Sequence, residues 1–151
     1  MTQQLSQHFS LDELCFSEIA VRRGIDNAPD ADVFSNLQLL AAGLEKVRAI
    51  LGHPINVSSG YRCPKLNTAI GGSSSSAHMH GLAADFTCPE FGSPYDICVA
   101  LENELAYIGA VDQVIMEGRW VHIGFSDTPR YQILTAHFDG SGHATYTKGL
   151  G

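Results

Sequence analysis

Ser76-Ala77-His78-Met79-His80-Gly81-Leu82-Ala83-Ala84-Asp85 carries two imidazoles and ends an apolar run on a carboxylate. The run from Leu82 to Cys88 reads as a strand, so the histidines sit in the loop that feeds it. A second segment, Glu117-Gly118-Arg119-Trp120-Val121-His122-Ile123, adds one more carboxylate and one more imidazole. Zinc takes imidazole nitrogen and carboxylate oxygen in a tetrahedron, and three protein ligands leave a fourth position for water, as catalytic sites do. His78, Asp85 and His122 can form such a set if the loop and strand fold His78 and Asp85 together. His80 is a rival for His78. In an extended chain residues two apart point the same way, and spacing alone does not choose between them.

Downstream, Val114-Ile115-Met116-Glu117 and Trp120-Val121-His122-Ile123 flank Gly118-Arg119 and read as a hairpin. A two-residue turn pairs Glu117 with Trp120 and Ile115 with His122. Alternation then sets Glu117, Trp120 and His122 on one face. A carboxylate beside a metal ligand, and not itself a ligand, suits a general base. Before the hairpin, Ser93-Pro94 opens a helix with Ile97, Leu101, Leu105 and Ile108 on one side, closed by Gly109. After it, Tyr131 to Phe138 makes a last strand. Residues 139–151, rich in Gly, Ser and Thr, are expected to form a loose tail.

Upstream, Gly71-Gly72 and four serines form a small-residue loop into the histidine stretch, after a short helix begun by Pro64. Ile55 to Ser58 reads as a strand leading into Ser59-Gly60-Tyr61-Arg62. The Arg62 guanidinium suits a substrate carboxylate or a developing oxyanion. The clearest helix carries Val33, Phe34, Leu37, Leu40, Ala41, Leu44, Val47 and Leu51 on one face, with Asp30 to cap it, Gly52 past its end and Pro54 to stop it. Ser10 and Ser17 are placed to cap two short helices before it. Few long helices, and late strands joined by short turns, predict an α+β fold: a small antiparallel sheet with flanking helices.

At 151 residues the chain fits one domain, and a hydrophobic fraction of 44% fits a buried core. The formal net charge of −7, with no basic block, argues against a nucleic-acid partner. No apolar run approaches the roughly 20 residues of a membrane span, so no membrane insertion is expected. Met1 to Phe9 is polar and lacks the apolar centre of a signal peptide, which predicts synthesis in the cytoplasm. Cys15, Cys63, Cys88 and Cys98 form no CxxC pair and read as free thiols. His8, His53, His137 and His143 stand alone, and lone histidines are more often structural than ligating.

Several stretches look like one known family. They are His8-Phe9-Ser10-Leu11-Asp12-Glu13-Leu14, Gly24-Ile25-Asp26-Asn27-Ala28-Pro29, Ser59-Gly60-Tyr61-Arg62, Leu66-Asn67 with Gly71-Gly72, Ser76-x-His78-x-x-Gly81-x-Ala83-x-Asp85 and Trp120-Val121-His122. Together they resemble the M15 family of peptidoglycan peptidases, the zinc D-Ala-D-Ala carboxypeptidases, in the subgroup that includes phage enzymes and L-alanyl-D-glutamate endolysins. The resemblance implies one zinc ion on His78 rather than His80, with Asp85 and His122. It implies Glu117 as the base, and Arg62 and Ser76 as substrate-binding residues. It implies the fold shared by these peptidases and Hedgehog amino-terminal domains. The implied partner is the peptidoglycan stem peptide, met by a monomer at the cell wall after release by lysis or from a virion. A non-catalytic, zinc-containing wall-binding or phage-tail module is the alternative. Two positions depart from the family pattern: Ala77 stands where glutamine is common, and only Gly118 and Arg119 separate Glu117 from Trp120.

Overall fold

The computed structural model describes residues 3–141 and 143–150. Two short helices come first, α1 (Leu11–Cys15) and α2 (Glu18–Arg23). Each is opened by a serine whose hydroxyl accepts a backbone N–H three residues on, Ser10 from Glu13 and Ser17 from Ala20. The long helix α3 (Ala31–Leu51) follows. Asp30 accepts the Val33 amide at 2.8 Å, and Gly52 ends the helix in the left-handed region at φ 72°. Its apolar stripe is buried from Val33 to Leu51. It joins one core with Phe86, Val121 and Ile123 from the sheet. Each such side chain taken from water stabilises the fold by about 1.5–3 kcal/mol.

Six strands form one sheet in the order β1-β2-β4-β3-β5-β6. They are β1 (Asn56–Ser59), β2 (Ala83–Thr87), β3 (Val111–Met116), β4 (Val121–Phe125), β5 (Gln132–Phe138) and β6 (Ala144–Lys148). Neighbours run antiparallel except β3 and β5, which are parallel. The remaining helices are α4 (Pro64–Ala69), α5 (Pro94–Leu101) and α6 (Leu105–Ile108), with a 3₁₀ turn at Ala77–His80. The architecture is α+β, with a mostly antiparallel sheet and helices beside it, as the sequence predicts.

The pleat sorts the sheet into two faces. Ala84, Phe86, Val114, Val121 and Ile123 point into the helical core. Asp85, His122, Ile115, Leu134 and Lys148 form one row across β2, β4, β3, β5 and β6 on the other face. That row carries the candidate site.

Three local expectations change. The helix expected through Ile108 breaks at Glu102–Glu104, leaving α5 and α6. Two like charges flank Asn103, and asparagine favours turns over helix interiors. The apolar phase survives because Leu101, Leu105 and Ile108 are all buried. The stretch from Asp139, expected to be a loose tail, instead carries β6, paired antiparallel with β5 from Phe138↔Ala144 to Leu134↔Lys148. The strand is exposed along most of its length, so it lacks the apolar alternation that marks a half-buried strand. The histidine loop is not extended: it winds into the 3₁₀ turn.

Candidate metal centre

The 3₁₀ turn separates the two histidines. His78 is 2% exposed, whereas His80 faces solvent, its carbonyl held by the Asn36 side chain at 2.8 Å. Ser76 caps the turn by accepting the His78 amide at 3.2 Å, and Gly81 ends it at φ 71°, a backbone region costly for other residues.

The Ser59–Arg62 segment grips His78 from both sides. The Arg62 amide donates to the His78 carbonyl at 3.0 Å, and His78 Nδ1 lies 2.7 Å from the Gly60 carbonyl oxygen. A carbonyl only accepts, so Nδ1 bears the proton and the lone pair sits on Nε2. Nε2 faces Asp85 Oδ1 at 3.4 Å. Gly60 is required by space: a Cβ there would strike the Leu14 carbonyl, which itself accepts the Tyr61 amide at 2.7 Å.

Asp85 and His122 are direct cross-strand partners, and His122 Nδ1 lies 3.0 Å from Asp85 Oδ1. Burial alone would raise the Asp85 pKa. The hydrogen bond from His122, and the charges of both imidazoles when protonated, outweigh it and hold the carboxyl well below the usual range. The two rings stand edge to face, 5.2 Å between centroids.

One ligand atom from each of His78, Asp85 and His122 lies within 4.8 Å of the others. A tetrahedral zinc site has ligand–ligand edges of about 3.3 Å. The 3.4 Å and 3.0 Å separations at Asp85 bracket that length. The His78 Nδ1 contact to a carbonyl is the outer support that metal-ligating histidines usually have. The donor set therefore fits a divalent cation.

Glu117 enters the same cavity. The hairpin register is the one the two-residue turn predicts: Ile115 opposes His122, and the Glu117 amide donates to the Trp120 carbonyl at 3.0 Å. Glu117 is half-buried and its pKa is raised, first by burial and then by the Asp85 charge, with His122 opposing. Arg62 Nη2 reaches the Ser76 hydroxyl at 3.3 Å, while its Nε is buried without a hydrogen-bond partner among the described residues. The Ser76 oxygen thus accepts from both Arg62 and His78, leaving its own proton to donate.

Two open cavities flank this centre. One, of about 470 Å³, is lined by His78, Asp85, Glu117, His122 and Tyr146 among others. The second, of about 550 Å³, runs along Phe16, Arg22, Ser58 and Ile70. Arg62, Asp85 and Trp120 line both, so the two cavities adjoin at the metal centre.

Sequence reasoning missed two contributors. Asn27 donates to the Cys15 and Tyr61 carbonyls at 2.9 and 3.0 Å and accepts the Cys63 amide at 2.8 Å, tying α1 to the segment that carries Arg62. Its only sequence signal was its place in the family-like stretch before Pro29. Tyr146 lies on β6, in the stretch expected to be loose. All four cysteines are free thiols.

No curated protein matches the chain significantly. A family model described as Peptidase M15 matches residues 7–124, which include all three residues of the candidate metal centre, Glu117 and Arg62. The chain belongs to the peptidase M15 family.

Proposed function

We propose that this metallopeptidase holds one zinc ion on His78, Asp85 and His122 and hydrolyses an amide bond in the peptide stem of bacterial peptidoglycan. The observation that carries the reading is the convergence of those three ligands with Glu117 in one open cavity, in a chain whose family is metal-dependent. When bound, zinc contributes Lewis acidity, polarising a carbonyl and acidifying water.

The rest is done by the chain's own groups. Glu117 takes a proton from the attacking water and passes it to the leaving amine. Its raised pKa suits a group that must be base and then acid. Arg62 offers a fixed guanidinium to a carboxylate of the stem peptide or to the oxyanion, and Ser76 both steadies that guanidinium and donates its free proton. Two cavities that adjoin at the centre offer room for peptide on either side of it. The chain acts as a monomer, at the wall, once lysis or a virion has delivered it there.

The deciding experiment incubates the zinc-loaded protein with a defined muropeptide and identifies the products by mass spectrometry. One new amine terminus and one new carboxyl terminus within the stem are expected. An intact stem, from protein that demonstrably holds zinc, would replace the hydrolase with a non-catalytic wall-binding module.

A further inference from the structure

Arg130 and Tyr146 lie beyond the stretch that matches the family, yet both line the cavity that holds the candidate centre. Strands β5 and β6 extend the sheet outward from β3. Lys148 ends the row that begins at Asp85, so Tyr146, two residues before it, points to the same open face. Tyr146 pairs with Ala136 on β5. With strands about 4.8 Å apart, β6 stands roughly 10 Å from β3, the strand that Glu117 follows. A tyrosine ring spans most of that gap, and the intervening Ala136 is too small to block it. Ala136 is only 8% exposed although it sits on the open face of the sheet, outside the helical core.

Tyr146 lines the cavity with His78, Asp85, Glu117 and His122. Its hydroxyl has no hydrogen-bond partner among the described residues, and the residue is 52% exposed. Burial, and then the Glu117 charge, raise its pKa, which keeps the phenol a proton donor. Elsewhere on the cavity wall Arg130 and Asp112 are already paired to each other. Tyr146 is a neutral donor that remains unused beside Glu117.

We infer that the β5–β6 hairpin is the outer wall of the substrate cleft, and that the Tyr146 hydroxyl binds the peptide substrate by donating a hydrogen bond to one of its carbonyls on the Glu117 side of the metal centre. The inference rests on the peptidase reading above.

The test compares Glu117→Gln with the double variant Glu117→Gln, Tyr146→Phe, both full-length and zinc-loaded, by calorimetric titration with an uncleaved stem peptide. Tyr146→Phe alone is followed by kcat, KM and thermal unfolding. Loss of one neutral hydrogen bond should weaken binding roughly 3- to 10-fold and raise KM to match, with Tm unchanged. Equal affinity with and without the hydroxyl overturns the inference and leaves the peptidase reading standing. A fall in kcat and Tm with KM unmoved also overturns it, because that is the mark of a structural residue. Failure of the zinc-loaded Glu117→Gln protein to bind any stem peptide overturns both readings together.

Discussion

His78 gives its Nδ1 proton to the Gly60 carbonyl at 2.7 Å, and by doing so turns its free nitrogen toward Asp85. The tautomer of this buried candidate ligand is thus set by a backbone carbonyl, at a residue where the Leu14 carbonyl leaves no room for a Cβ. Gly60→Ala should therefore strike the metal centre from outside it. The backbone must shift, the carbonyl swings away from Nδ1, and zinc affinity falls by about 10- to 100-fold, as for other outer supports of ligating histidines. Competition with a chromophoric chelator measures this. An alanine variant with parental affinity would show that the carbonyl does not orient the ring.

The two histidines of the 3₁₀ turn should behave oppositely. Zinc at a hundredfold excess over its Kd would stabilise the native state by about 2.7 kcal/mol, or about 5–11 °C in Tm for a chain of this size. His78→Ala and His122→Ala should abolish that rise, and chelator should no longer affect either variant. His80→Ala should keep the full rise, since its ring lies outside the ligand group. A loss of the rise in His80→Ala and its survival in His78→Ala would reverse the assignment.

Glu117 is assigned to proton transfer and not to the metal. Glu117→Gln removes the proton shuttle while preserving size, so kcat should fall by roughly 10²- to 10⁴-fold with zinc content unchanged. Steady-state kinetics and elemental analysis on the same sample decide it. Unchanged turnover would move the base elsewhere. Lost zinc would make Glu117 a ligand.

What could be read in advance follows from how local the cause is. The α3 boundaries were legible because Asp30, Gly52 and Pro54 act within a turn of where they stand. The pairing of Ile115 with His122 was legible because a two-residue loop fixes its own register. The parallel pairing of β3 with β5 was not, because it joins strands separated by β4 and leaves no mark on either one's sequence. The choice between His78 and His80 turned on a 3₁₀ turn that neither apolar period reveals. Strand β6 left a faint trace: Thr145-Tyr146-Thr147 has β-forming residues after the Asp139-Gly140 turn signal, but their exposure hides the alternation. So the ligand candidates were legible, and the wall opposite them was not.

Asn27 should prove as important to Arg62 as any residue in the cleft. Its side chain makes three hydrogen bonds to backbone groups of Cys15, Tyr61 and Cys63, two of which flank Arg62. Asn27→Ala should cost about 2–3 kcal/mol of stability, near 1 kcal/mol per bond. At temperatures where the variant remains folded, KM should also rise as the guanidinium loosens. Chemical denaturation and kinetics report the two effects separately. A variant within 0.5 kcal/mol of the parent, on the order of an ordinary surface change, would show that the links are dispensable.

Glu45 ties the start of the chain to α3, and its titration gives the fold a defined acid sensitivity. Its carboxylate accepts the Ser6 hydroxyl and the His8 amide at 2.6 Å each and meets His8 Nδ1 at 2.6 Å. Burial would raise its pKa, but these bonds from Ser6 and His8 outweigh it and leave the folded value below the ordinary one. The unfolded chain therefore takes up the proton first. The stabilisation is complete above the unfolded value, about 4.3, and is lost as the pH falls through the lower, folded value. Glu45→Gln should lower Tm at pH 6 to 7, and the gap to the parent should close as the pH drops from about 4 toward 3. Paired melting curves across that range check the sign. A gap that stays constant into acid would mean that the carboxylate's charge plays no part in holding the segment.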